Sequence, residues 1–181
     1  PESWNQELDG DFLLKSKKAK KAVHRFPGHK SHVYLRPATI DSSNESGKRI
    51  LVRRLIGGGV HDSEMITLGE IKLDCTIDEH TEGDMIEQPW SLPNSTLNYH
   101  GVITQSVSLA TESASLGVPT LLVSKAKRGV LTNLVELGSL TIIQESDNQN
   151  SRIAEWLENL GDFTINEWPD ALNTWRNIIQ H

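Results

Sequence analysis

The sequence predicts an α/β domain built on a mainly parallel sheet with helices on both faces, and three observations carry that expectation. Short apolar runs rich in β-branched residues recur from residue 49 onward, and helical stretches alternate with the later ones. Three of those helical stretches run into a glycine, Gly117, Gly138 and Gly161, as helices closed by a left-handed residue do. Strands covered on both sides by such helices read as nearly continuous apolar runs, which is the pattern seen.

Residues 49–56, Arg-Ile-Leu-Val-Arg-Arg-Leu-Ile, form the first strand and end in Gly57-Gly58-Gly59, a strand delivered into a loop. Further strands are expected at 72–78, 84–88, 101–105, 120–124 and 139–144, and helices at 108–116, 128–137 and 151–160, with two more around 95–99 and 169–180. The stretch from Asp62 to Lys72 is short for a helix, so the first crossover is expected to be abbreviated. Residues 41–48 are polar and read as a linker, which places the α/β domain at 47–181 behind a basic N-terminal segment and linker at 1–46. Near the C-terminus, Trp168, Leu172, Trp175, Ile178 and Ile179 fall at approximately helical spacing. Such a stripe is costly to leave in water, so it is expected to fold onto its own sheet or to pair with a second copy in a homo-oligomer.

Composition bounds the function. Of 181 residues, 36% are hydrophobic and 23% charged, the balance of an ordinary soluble globular chain. With 18 Lys and Arg against 24 Asp and Glu the net charge is −6, which disfavours a wholly basic nucleic-acid-binding domain. The basic residues are nevertheless concentrated, eight of them within 11–36 beside the single acid Asp11. Lys15, Lys17, Lys18, Lys20 and Lys21 read either as a phosphate- or RNA-contacting face or as the solvated side of a helix, and no aromatic-interleaved recognition motif accompanies them. The lone Cys75 has no internal disulfide partner and leaves too few thiols for a structural zinc or iron–sulfur site, which points to a reducing compartment. No apolar run reaches membrane-spanning length and Pro1 to Trp4 holds no signal core, so a cytoplasmic location is expected. The absent initiator Met is consistent with a piece of a longer protein.

The richest stretch chemically is 101–123, which reads strand, hydroxyl-rich turn, helix, Gly-Val-Pro, strand. A helix starting near Ser106 or Ser108 presents unpaired N–H groups and a positive dipole end at the carboxyl edge of the sheet, where an anion is stabilised. Glu112, near the end of the first turn, is placed either to accept from sugar hydroxyls or to support the helix start that Ser108 would cap. His61-Asp62 follows the triple glycine and reads either as an oriented base or phosphate donor, or as a polar loop pair capping a short helix. Arg53 and Arg54 point to opposite faces of a regular strand, so only one of them faces a ligand cleft. Asp78, Glu79, His80, Glu82 and Asp84 match no defined metal spacing and read as a solvated turn, so no metal is expected. Cys75 reads as a small buried residue. The dinucleotide, triphosphatase and hydrolase glycine motifs are all missing.

Ser106-Val107-Ser108-Leu109-Ala110-Thr111-Glu112, followed by Ala114 and Leu116-Gly117-Val118-Pro119, resembles the donor-site segment of glycosyltransferase-B-type proteins. With Gly28-His29-Lys30, Tyr34-Leu35, Val52-Arg53-Arg54 and His61-Asp62, the ordered set is similar to the C-terminal half of the domain-of-unknown-function 354 family. Those are glycosyltransferase-like proteins related in fold to UDP-N-acetylglucosamine 2-epimerase. The resemblance spans about residues 23–144 and implies a Rossmann-like three-layer domain that binds a UDP-type nucleotide-sugar as substrate, with no other cofactor. It implies Ser106 and Ser108 at the diphosphate, Glu112 at the ribose, Glu87, Gln88 and Trp90 near the base, and His61 near phosphate or sugar. Catalysis in such proteins needs an N-terminal acceptor domain, which residues 1–22 are too few to supply. Gln105 and Val107 depart from the acid and the glycine common in this segment. A non-catalytic interaction module that kept the fold is therefore the rival, and nucleic-acid binding through the basic segment is a third reading.

Overall fold

The computed structural model describes residues 27–36, 47–57, 62–84, 88–161 and 168–180. In chain order the elements are α1 (Lys30–Tyr34), β1 (Arg49–Arg54), β2 (Thr76–Thr81), α2 (Leu92–Ser95), β3 (Gly101–Thr104), α3 (Val107–Ser115), β4 (Thr120–Val123), α4 (Gly129–Glu136), β5 (Leu140–Ile143), α5 (Gln149–Glu158) and α6 (Ala171–Ile179). Short 3-10 turns cover Asp62–Glu64, Pro89–Ser91 and Thr96–Asn98. The strands form one five-stranded, all-parallel sheet in the order β2-β1-β3-β4-β5. From β1 the chain steps outward to β2 and then returns to the other side of β1 as β3. The β1–β3 boundary is thus a topological switch point, the kind of place where parallel α/β sheets take ligands at their carboxyl edge.

Alternation along each strand divides the core. Ile50, Val52, Ile103, Leu121, Val123 and Ile143 turn to one face and pack with Ile66, Leu68 and Ile153 of α5. Leu51 and Val102 turn to the other, against Leu35, Leu109 and Leu116, while Leu122 and Leu140 meet Ala110 and Ala114 of α3 and Leu131 and Leu134 of α4. These two interfaces make the Rossmann-like three-layer α/β fold, and the strand centres are fully buried. Gly117 and Gly138 close α3 and α4 with φ of 85° and 74°, the left-handed conformation the sequence called for. Gly161 does not serve in this way, because α5 already ends at Glu158 with Asn159 as its cap.

The second strand departs from expectation. In place of a strand at 72–78, β2 occupies Thr76–Thr81; of the strand expected at 84–88, residues 85–87 lie outside the described residues, and Asp84 lies in a turn where its amide donates to the Thr81 carbonyl at 3.1 Å. The apolar residues Ile71, Leu73 and Cys75 pack flat on the α5 face of the sheet instead of pairing within it. An outermost strand needs a backbone partner on one side only, so the polar run that follows can take the place. The β1–β2 crossover is abbreviated, as expected: after the 3-10 turn it runs as an extended strap. Met65 bridges to Ser124 at the end of β4, and the Glu64 carbonyl accepts from Lys125 N (2.7 Å) and Ser124 Oγ (3.1 Å). Arg128 grips the Glu64 carboxylate through both oxygens, at 2.8 and 2.9 Å. Farther along, Gln149 Nε2 donates to the Thr67 carbonyl at 3.0 Å.

On the opposite layer α1 packs against α3 and α6. Ala171 is buried there, whereas Trp175 and Ile179 remain 42% and 62% exposed, so the apolar stripe of α6 is only partly covered. Among the described residues no helix is long and apolar enough to cross a membrane.

Candidate functional site

At the switch point the strand register decides which arginine faces which helical layer. Arg54 lies on the α5 face, where its guanidinium bonds the carbonyls of Leu68 and Gly69 and pairs with Glu79 at 2.8 Å. Arg53 follows Leu51 on the α3 face and sits in register with Thr104 of β3 and His80 of β2. It is 8% exposed, and its Nη1 is buried without a hydrogen-bond partner among the described residues.

The amino end of α3 starts beside it. Thr104 Oγ1 accepts from Ser106 N at 3.0 Å and fixes the turn, and Ser106, with extended backbone, caps the helix by accepting from Leu109 N at 3.3 Å. No described group accepts from the amides of Val107 and Ser108, as first-turn amides lack intrahelical acceptors, and Ser108 is exposed. The cap is therefore Ser106, and Ser108 stands inside the helix.

Gln105 shows why an acid would not serve at that position here. Its Nε2 donates to the Ile66 carbonyl at 2.6 Å while its Oε1 accepts from Leu55 N at 3.0 Å, so the side chain both gives and takes, at 6% exposure. A carboxylate could not make the first bond. Gln105 thereby ties the strap to the end of β1.

The remaining predicted residues are dispersed. Glu112, half-buried, accepts from the Tyr34 hydroxyl, an anchor for α1 on α3 that also pushes the Tyr34 pKa up to about 12, with burial the larger cause. Trp90, on the Pro89–Ser91 turn, is 95% exposed, and Gln88 beside it is exposed too. Leu92, two residues on, packs in the Leu51–Leu109 cluster, which roots this turn on the same layer as α3. His61 and Glu87 lie outside the described residues, as does the lysine-rich stretch before residue 27. In the acidic group, Asp78 binds Arg49 (2.6 Å) and the Tyr99 hydroxyl (3.0 Å), Glu79 binds Arg54, and among the described residues no cluster is placed to hold a metal ion.

A Ser–His contact at the far end of α3 escaped the sequence reading. The Ser115 hydroxyl donates to the Thr111 carbonyl and meets His29 Nε2 at 3.1 Å, so Nε2 carries the proton and donates. His29 Nδ1 is buried without a partner among the described residues, and His32 Nδ1 accepts from the His29 amide at 3.1 Å. The His32 ring lies 3.9 Å from that of His29 and meets Trp168 edge-on at 4.8 Å. Burial holds both imidazoles neutral, lowering His29 to about 3, with the neighbouring His32 adding to the effect, and His32 to about 4. With its serine proton already given to a carbonyl and its histidine 2% exposed, the pair is a clasp and not a nucleophile with its base. The signal available in the sequence was Gly28-His29 with His32 three residues on, a spacing that places two rings on one helical face.

Cavity size does not coincide with this chemistry. A cleft of about 400 Å³ opens at the opposite, amino edge of the sheet, between Pro119, Gly138, Ser139 and Trp156, and its charged lining is Glu155 and Arg152, which donates to the Ile142 carbonyl at 3.2 Å. No family model, curated protein or solved structure matches the chain.

Proposed function

We propose that this chain is the nucleotide-sugar-binding half of a glycosyltransferase-B-like protein, related to the domain-of-unknown-function 354 family, with its ligand at the carboxyl edge between β1 and β3. The observation that carries the reading is the amino end of α3, capped by Ser106 and offering the Val107 and Ser108 amides at the switch point of a parallel sheet. A diphosphate placed there meets aligned N–H donors and the positive end of the helix. Ser108 adds a hydroxyl, Trp90 an uncovered ring for a base or sugar, and Glu112 a carboxylate one turn farther along the helix. Glycosyl transfer itself is assigned to a partner domain closing over this edge. Saturation-transfer NMR with uridine diphosphate against other nucleotides tests the reading. We expect transfer to the uracil and ribose protons, and silence from every nucleotide at millimolar concentration would remove it.

A non-catalytic interaction module is the second reading, favoured by one observation: Gln105 and the strap spend the α5 side of the carboxyl edge on structural bonds. It predicts a protein partner at the surface marked by Trp90 and Ile56, which is 66% exposed, and no nucleotide response.

A further inference from the structure

Arg53 is, among the described residues, a buried charge with an unsatisfied donor. A guanidinium stays protonated in any protein, and a buried charge is costly unless paired and hydrogen-bonded. Arg54 meets that demand with Glu79 and two carbonyls. Arg53, more deeply buried, leaves Nη1 without a partner among the described residues. Among the described residues no acid pairs with it: across the sheet at its level stand His80 and Thr104, and Asp78, one step down the same face of β2, is held by Arg49 and Tyr99. The free amides of Val107 and Ser108 follow directly from β3 on the same layer.

We propose that Arg53 and the amino end of α3 form an oxyanion pocket that takes a phosphate group, with Arg53 its principal charge and His80 a flanking donor. The inference rests on the carboxyl-edge site of the preceding reading but not on its nucleotide. A planar fork beside two amides suits a tetrahedral phosphate better than a planar carboxylate, because donors then reach different oxygens of one group. The same argument explains why an arginine rather than a lysine is kept in a site that dry.

The test uses the full chain with inorganic phosphate, pyrophosphate, uridine and UDP-glucose as probes, read by calorimetry and by thermal shift at constant ionic strength. Pyrophosphate is expected to bind and to raise the melting temperature, and uridine alone to do neither. Arg53→Met should weaken pyrophosphate about thirtyfold or more, the scale for removing one partner of a buried charge pair. Its melting temperature without ligand should hold or rise, because an apolar side chain of similar length removes an unpaired buried charge. Arg53→Lys should recover part of the binding, and Arg54→Gln should leave it unchanged. Binding of UDP-glucose that Arg53→Met does not alter would overturn the pocket and leave the nucleotide reading standing. Pyrophosphate binding that depends on Arg53, with no added affinity from the nucleoside, would do the reverse. Should Arg53→Met fail to fold, the wild-type chain still decides, since no thermal shift with either phosphate overturns the proposal.

Discussion

The two ends of α3 use the same residue types for opposite purposes. Toward the carboxyl end, polar groups are consumed within the protein: Ser113 Oγ bonds the Leu109 carbonyl (2.7 Å) and Thr120 (3.0 Å), Ser115 meets His29, and Glu112 meets Tyr34. Toward the amino end, Ser106 alone is committed, while Ser108, two amides and the neighbouring Arg53 are not. Serine and glutamate at helical spacing therefore mean little by themselves. What separates structure from site is whether the polar groups of a second element have come down on them, as Tyr34 does on Glu112 and His29 on Ser115.

That contrast can be broken or sharpened experimentally. The largest effect is expected at Gln105, on which the platform for the amino end depends. Gln105→Glu removes the donor to Ile66 and buries a carboxylate, and should cost about 3 kcal/mol or more in denaturant unfolding. A near-neutral result would show that the strap does not need this bond.

Next comes acidification, which should act on the clasped end. His29 and His32 are lowered in the fold to about 3 and about 4 from 6.5. Between 6.5 and those values the unfolded chain binds more protons, so their contribution is complete above pH 6.5 and is lost as pH falls through about 4 for His32 and about 3 for His29. A melting-temperature profile should show that decline. A His29→Gln, His32→Gln double variant should start lower near neutral pH and flatten across the same window. An unchanged slope would remove the two histidines as its source.

The smallest effect is expected at Glu112. Its bond to Tyr34 is exposed, so Glu112→Gln should cost no more than about 0.5 kcal/mol of stability. If the carboxylate also receives a ribose, the same variant should weaken nucleotide affinity by about 1–3 kcal/mol, measured by titration. Loss of stability without loss of affinity would place Glu112 wholly with the clasp.

Much of this arrangement was legible in the sequence because its causes are local. Apolar strands and helix ends at Gly117 and Gly138 follow from short-range rules, and they gave α3 and its flanking strands nearly to the residue. The strap was harder to read: Ile71, Leu73 and Cys75 alternate as a strand does, yet they alternate against a sheet face and not within it. The choice between Arg53 and Arg54 needed the register with β2 and β3, and Gln105 needed Ile66, whose contact is set by the crossover. The histidine clasp joins residues far apart in sequence, so spacing hinted at His29 with His32 but not at Ser115 or Trp168.

The outer strands give the sheet unlike borders. β2 carries Asp78, Glu79 and His80 along its length, and a chain laid against it would have to accommodate those side chains. β5, Leu-Thr-Ile-Ile, carries no charge at all, and Val135 and Leu137 stand 44% and 50% exposed nearby. Lateral growth, by a foreign strand or by misassembly at high concentration, is therefore directional and starts from β5. A single lysine at Thr141, which is exposed, would guard that border without touching the carboxyl edge between β1 and β3.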